Sequence, residues 1–391
     1  MQIKSKNKEN KIVFLDNAAG SFPKAPGVAK AILAYINDVG VNVGRASYAP
    51  ASAAALTMLE LRESLCRLFN FGHSEACIIT PGATFALNLV LKGYLKPGDH
   101  VIVSPLEHNA MMRPLNQLAT HGISFDRLPA DENGLVEASA ILPLIKPNTK
   151  MIAMLHASNV CGSVLPISQI GQICAAKNIP FLVDASQSAG HIDIDMQAMH
   201  ISALAVPGHK GLLGPSGIGA LLMQPDFAAS VEPLVTGGTG SQSDSEVQPL
   251  HLPDRFEAGT QNLPGIYGFK AALDFIEKES ITALQKQQND LAVRFIEGIL
   301  NIPAVRLVGP TKVDKRVGVI SLDFQKHDNA EAAYLIERSY GIFTRCGLHC
   351  APNAHKTLGT YPQGTVRFSL GWHNTKEDID AALEAIATVS K

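Results

Sequence analysis

Long apolar runs are missing from this chain of 391 residues. No stretch reaches the roughly 18–20 residues that a membrane-spanning helix needs. An excess of charge of one sign is missing as well. Lys and Arg number 33 against 35 Asp and Glu, a net charge of −2, so neither nucleic acid nor a membrane surface is indicated as a partner. Cysteine is sparse, with six residues at 66, 77, 161, 174, 346 and 350. That is no disulfide framework for a chain this long. No internal repeat or low-complexity tract is present. The opening M-Q-I-K-S-K-N-K-E-N-K is polar and lacks the apolar centre of a signal peptide, so cytoplasmic residence is the expectation.

What is present is a well-packed globular composition. Hydrophobic residues make up 46% and charged residues 17%, enough for a large core and two domains of ordinary size. Short apolar or β-branched runs at Cys77–Thr80, His100–Ser104, Lys150–Ala157, Pro180–Ala185, Ala203–Val206 and Gly217–Met223 read as strands. Helical periods at Ala83–Lys92, Met111–Thr120 and Ile167–Lys177 alternate with them. This alternation predicts an α/β fold with a mostly parallel sheet sandwiched by helices. Sites in such sheets gather at the carboxyl ends of the strands, and His108, Asn159, Asp184 and Lys210 all follow predicted strands.

A second region begins near Leu263. Helices are predicted at Pro264–Glu279, Ile281–Leu300, Asn329–Ser339 and Lys376–Ser390, and strands at Val305–Val308, Gly318–Asp323 and Thr365–Leu370. The expected organisation is an N-terminal segment over 1–25, packing near the active site and the small domain. A large domain follows over 26–262, then a smaller α+β domain over 263–391. The polar, Gly-rich stretch 236–249 lacks the Lys of a phosphate-binding loop and reads as a hairpin tip or interface loop.

Lys210 lies in A-V-P-G-H-K-G-L-L-G, on a tight turn after an apolar strand, and Asp184 ends the strand run before it in P-F-L-V-D-A-S-Q. An amine that holds pyridoxal phosphate needs a partner acid for the cofactor's ring nitrogen, and this pair has the right types. Cys66, Cys77 and Cys174 sit in apolar stretches and read as packing residues. Cys346 and Cys350 stand apart, in T-R-C-G-L-H-C-A-P. Their spacing matches zinc sites poorly, no metal is expected, and a reactive thiol near the cationic Arg345 and His349 fits better.

Eight motifs occur in one order: N-V-G-R (42–45), P-G-A-T (81–84), L-E-H-N (106–109), S-N-V-C-G (158–162), V-D-A-S-Q (183–187), G-H-K (208–210), R-F-E-A-G-T (255–260) and R-C-G-L-H-C-A (345–351). With F-L-D-N-A-A at 14–19 and V-R-F-S-L-G at 366–371, the chain resembles the class V, fold-type I pyridoxal-phosphate enzymes of the cysteine desulfurase/selenocysteine lyase family. Departures include Gly44, Phe85, Pro207, Cys346 and Leu348, and they suggest a divergent member.

The resemblance implies pyridoxal 5′-phosphate bound covalently through Lys210, which also moves protons at the substrate's α-carbon. Asp184 would pair with the ring nitrogen and Gln187 with the ring oxygen. His108 would stack on the ring and take part in proton transfer. His209, Ala83, Thr84 and, from a second subunit of a homodimer, Thr260 would hold the phosphate. Arg367 would clamp the substrate carboxylate, with Asn159, Arg345 and Ala19 nearby. Cys350 takes the nucleophile's place, accepting sulfur from L-cysteine as a persulfide and leaving alanine. Only 16 residues lie between Cys350 and Arg367, which implies a constrained loop and a sulfur-acceptor protein rather than a long mobile arm. Other reactions remain open at this point: selenocysteine lysis, transamination, epimerisation, β-elimination, or a sulfur-carrier scaffold that has lost turnover.

Overall fold

The computed structural model describes residues 12–44, 48–242 and 244–391; Arg45 of the N-V-G-R run lies outside the described residues. Strand β1 (Val13–Phe14) opens the chain, followed by helices α1 (Val28–Ala34) and α2 (Ala49–Leu68). A β-α alternation follows: β2 (Cys77–Thr80), α3 (Ala83–Tyr94), β3 (His100–Val103), α4 (Asn109–Ala119), β4 (Ser124–Arg127), β5 (Thr149–Leu155), α5 (Ile167–Lys177), β6 (Phe181–Asp184), β7 (Ala203–Pro207), β8 (Gly219–Met223) and the short α6 (Pro225–Ala229). These strands form one sheet in the order β2-β8-β7-β6-β5-β3-β4. Only β8 runs against its neighbours. Every residue of β2, β3, β6, β7 and β8 is buried, as expected for strands covered on both faces. The predicted strands and helices of this region are present, with ends shifted by one or two residues in most cases.

After the long helices α7 (Leu263–Glu279) and α8 (Ile281–Leu300) comes a second sheet. It contains β9 (Val305–Val308) and β10 (Val319–Phe324). Helix α9 (Asn329–Tyr340) and strand β11 (Ile342–Phe343) lead to β12 (Arg345–Gly347), α10 (Pro352–Thr357), β13 (Thr365–Ser369) and α11 (Lys376–Val389). Its antiparallel order is β12-β13-β10-β9, and β11 pairs instead with β1 in parallel. Thr375 and Asp378 form a reciprocal capping box at the start of α11. The N-terminal segment therefore joins both parts. Val13 and Phe14 pair with β11, Asp16 bridges to Ser369, and the Ser21 amide donates to the His209 carbonyl at 2.9 Å. Stretch 236–249 has no helix or strand among its described residues, and Leu250 just beyond it is exposed.

Two glycines are required by the turns around the sheet's carboxyl edge. Gly82, before α3, has φ 149°, and at Gly219 a Cβ would lie 2.4 Å from the Val206 carbonyl oxygen and 2.9 Å from Gly82 Cα. Behind them a buried ion pair fixes the R-F-E-A-G-T segment. Arg62 of α2 makes a two-pronged contact with Glu257, Nη1 to Oε1 at 2.8 Å and Nη2 to Oε2 at 2.7 Å. The same carboxylate accepts from the Ile79 amide at 2.6 Å, and Arg62 also donates to the Cys77 carbonyl. With side chains 7% and 5% exposed, loss of one partner strands the other charge in the core. Arg62→Ala is expected to destabilise the protein by about 3–5 kcal/mol in denaturant unfolding. A loss below about 1 kcal/mol would show that this pair behaves like a surface one.

Candidate active site

The carboxyl ends of β2, β3, β5, β6 and β7 open onto one cavity of about 640 Å³. Its wall brings together Ala83, Thr84, His108, Asn159, Asp184, Gln187, His209 and Lys210. Each arrives by a local rule. Gly82 turns the chain into α3, leaving the first amides of that helix, at Ala83 and Thr84, pointing out of its N-terminus. His108 caps α4, its Nδ1 accepting from the Ala110 amide at 3.0 Å, which leaves the proton of a neutral imidazole on Nε2. Burial holds this imidazole below its ordinary pKa, with Lys210, Arg367 and Arg113 pushing the same way and Asp184 opposing.

Asp184 is 3% exposed, and its Oδ1 accepts from the Ser186 amide at 2.9 Å. A buried carboxylate with a single backbone donor calls for a cationic partner from the cavity. The Lys210 amine makes no hydrogen bond or ion pair among the described residues. Burial lowers its pKa from 10.5 to about 8; Arg367 and Arg345 act in the same sense, against Asp184 and Cys350. His209 has a buried Nδ1 without a partner, and burial, with Lys210 and Lys24, pushes it down to about 4. The Gln187 amide is held by the Ala18 carbonyl at 2.9 Å.

The second sheet adds the remaining groups. Arg367, 3% exposed, extends from β13. It donates through Nη1 to the Asn159 carbonyl at 3.0 Å and through Nη2 to Asp16 Oδ1 at 2.9 Å, while its buried Nε has no partner. Cys350 is exposed on a turn between β12 and α10, where His349 (φ 48°) and Cys350 (φ 57°) are both left-handed. Such a conformation costs roughly 1–3 kcal/mol per residue unless its surroundings enforce it. Here two bonds do so: the Asn109 amide donates to the Cys350 carbonyl at 2.8 Å, and Asn159 Nδ2 donates to the His349 carbonyl at 2.7 Å. The turn that bears the thiol is thereby tied to Asn109, next to His108, and to Asn159 of the cavity wall.

The structure corrects the sequence reading of His349 and places the remaining candidates one by one. His349 supplies no cation to Cys350. It is buried, its Nε2 lies 3.1 Å from Thr365 Oγ1, and burial, with Arg367, His355 and Arg345, drives its pKa down to about 2. Cys346 packs with the core of the second sheet, and burial pushes its thiol up. Ala19 closes a turn with the Asp16 carbonyl at 3.1 Å and, like Arg345, Arg367 and Cys350, is not among the residues lining the cavity. Thr260, expected to serve the phosphate of a second subunit, lies in its own chain on a separate groove with Asn42, Gly44 and Gly240.

Three participants carried no assigned role in the sequence reading. Asp16 holds both Arg345 and Arg367. Glu107, fully buried, accepts from Ser104 Oγ at 2.5 Å and the Leu155 amide at 2.9 Å, and burial pushes its carboxyl up to about 8. Arg316 ties the Cys161 and Val319 carbonyls together at 3.0 and 2.7 Å. Asp16 and Glu107 stand inside quoted motifs, so their place in the chain was visible even though their partners were not. Among the described residues no group of three or more His, Cys, Asp or Glu could hold a metal ion, and no helix is long and apolar enough to cross a membrane.

The residues present fit pyridoxal phosphate. Asp184 lacks a cationic partner, the Lys210 amine is unpaired and easily neutralised, and free amides at the α3 N-terminus lie near an unpartnered His209 nitrogen. Comparison with known proteins agrees. The family model for aminotransferase class-V matches residues 13–382. A probable cysteine desulfurase of Methanothermobacter thermautotrophicus is 31% identical over 97% of this chain and 94% of its own. A cysteine desulfurase of Yersinia pestis is also 31% identical, over 97% and 94%. Among solved structures, the apo cysteine desulfurase of Thermococcus onnurineus superposes with a TM-score of 0.90 at 30% identity, covering 96% of this chain and 94% of that one. The Escherichia coli cysteine desulfurase CsdA gives 0.87 at 28% identity, over 97% and 94%. With the family model, full-length relatives and fold in agreement, this chain belongs to the aminotransferase class-V family, in its cysteine desulfurase branch.

Proposed function

We propose that the protein is a pyridoxal-phosphate-dependent cysteine desulfurase that converts L-cysteine to L-alanine and carries the removed sulfur on Cys350. The observation that carries this reading is the tethering of the Cys350 turn, through the carbonyls of Cys350 and His349, to Asn109 beside His108 and to Asn159, which lines the same cavity as Lys210 and Asp184. The cofactor, when bound, supplies the electron sink for negative charge at the substrate's α-carbon. Residues 26–262 provide its cradle and 263–391 present Arg367 and Cys350. Lys210 Nζ takes and returns the α-proton, a role suited to an amine whose pKa lies near 8. Arg367, with a spare Nε donor, holds the substrate carboxylate.

The sulfur step balances within the site. The Cys350 thiolate attacks the substrate sulfur and an S–S bond forms. The Cβ–S bond breaks with its electron pair left on Cβ, and a proton delivered there completes alanine. His108 Nε2 and Lys210 Nζ are the proton carriers on the cavity wall. A sulfur-acceptor protein in the cytoplasm would then collect the persulfide sulfur from the exposed Cys350.

The working unit in this reading is a twofold dimer. Leu33, Ile36, Leu56, Leu59, Leu234 and Val235 are exposed apolar side chains, a pattern that suits burial against a second copy. Thr260 then completes the phosphate site of the partner. The expected sedimentation result is a dimer, with Thr260→Ala weakening cofactor retention. A monomer that keeps the cofactor and full turnover would contradict it. The functional reading itself is tested by supplying L-cysteine and measuring alanine and sulfide with and without reductant. Equal yields of alanine and reducible sulfur are expected, whereas pyruvate or a racemised amino acid would place the protein with other class V reactions.

A further inference from the structure

The turn that carries Cys350 is left-handed at two successive residues other than glycine, His349 and Cys350. Such a turn persists only where its surroundings over-determine it. Beyond the two carbonyl tethers, the His349 side chain supplies a third hold, and donor–acceptor accounting fixes its direction. The Val160 carbonyl can only accept, so the Ser321 hydroxyl donates to it at 2.6 Å. Ser321 Oγ then accepts from Thr365 Oγ1 at 3.0 Å. With its one proton committed, Thr365 Oγ1 accepts from His349 Nε2–H at 3.1 Å. Asn159 Nδ2 donates back to the His349 carbonyl at 2.7 Å. Asn159 and Val160 are neighbours in the chain, so these bonds form a closed ring. Ser321 and Thr365 are fully buried, and His349 and Asn159 nearly so, which leaves no bulk water to replace a lost member.

We propose that Ser321 and Thr365 are positioning residues for sulfur transfer: through His349 they lock the turn that bears the Cys350 thiol. The inference rests on the desulfurase reading and gives a task to two hydroxyls that do not line the cavity. The ring spans both parts of the chain. Asn159 and Val160 follow β5 of the first sheet, while Ser321 and Thr365 stand on the paired strands β10 and β13 of the second. The turn is thereby fixed relative to the wall that holds Lys210, not only to its own sheet. Arg367 is held separately, by Asp16 and the Asn159 carbonyl, so opening the ring should leave the grip on the substrate carboxylate in place. A misplacement of about 1 Å can cost roughly 10²-fold in rate.

Ser321→Ala and Thr365→Val each open the ring with little change of volume, and Thr365→Ser keeps it. In the holoenzyme with L-cysteine, kcat for alanine should fall by about tenfold or more in the first two, with KM nearly unchanged. Thr365→Ser should stay close to wild type. Hydrogen exchange supplies a readout independent of turnover. The Asn109 amide, whose acceptor is the Cys350 carbonyl at 2.8 Å, should exchange about tenfold faster or more in both open-ring variants, while the amides of β10 and β13 keep their protection. Unchanged exchange at Asn109, or wild-type kcat in either open-ring variant, would overturn the inference. So would a kcat loss shared by Thr365→Ser, which would assign the effect to the methyl group. Protection lost across the whole second sheet would show a merely structural role and overturn it too. Wild type that forms no alanine from cysteine would instead overturn the desulfurase reading, and the exchange rates would still decide whether the ring locks the turn.

Discussion

Replacing Cys350 by serine is expected to stop sulfur transfer from L-cysteine while leaving folding and cofactor loading as they are. The side chain is exposed, so the change removes no core packing, and the turn is held through carbonyls that a serine retains. A hydroxyl has neither the acidity nor the sulfur affinity of a thiol. Alanine formation should fall by roughly 10³-fold or more. Cys346→Ser should retain most activity because that residue packs with the core of the second sheet, with a small loss of stability as its only cost. An active Cys350→Ser enzyme together with an inactive Cys346→Ser enzyme would exchange the two roles.

The second large effect concerns Lys210. Lys210→Met should bind the cofactor without covalent attachment, so borohydride would fix none, and proton transfer at the α-carbon should slow by roughly 10²–10⁴-fold. The same change should alter stability in the opposite sense. The amine titrates near 8 in the fold against 10.5 ordinarily, so between those values the unfolded chain binds more protons. Its contribution to stability is complete above about 10.5 and is lost as pH falls through about 8. The cofactor-free variant should therefore melt higher than cofactor-free wild type at pH 7 and lose that advantage at alkaline pH. A variant that melts lower at pH 7 would show that the amine is well solvated.

Much of the fold was legible because its strands are short apolar runs bounded by turn formers. Cys77–Thr80 and Ile281–Leu300 have the predicted ends to the residue. Helix α2 was missed. Its exposed face carries Leu56 and Leu59, which blurs the apolar stripe that would announce it. Strand β4 was missed too: Ser124 and Arg127 are exposed at the edge of the sheet, so no buried run marks it. The motifs located Lys210, Asp184, His108 and Asn159, and the structure gathers these on one cavity.

Sequence reasoning could not reach features that depend on distant partners. Asp16 meets Arg367 from 351 positions away, and Glu257 meets Arg62 from 195. His349 looked like a cation beside the thiol, yet packing around it enforces the neutral form. Burial, not composition, decides such a charge.

The most direct measurement is a single turnover with L-cysteine followed by alkylation and peptide mapping. The account predicts one alanine per active site and one additional sulfur atom on the peptide that carries Cys350, with Cys346 unmodified by sulfur. Alanine without sulfur on Cys350, or sulfur found on Cys346 instead, would contradict it.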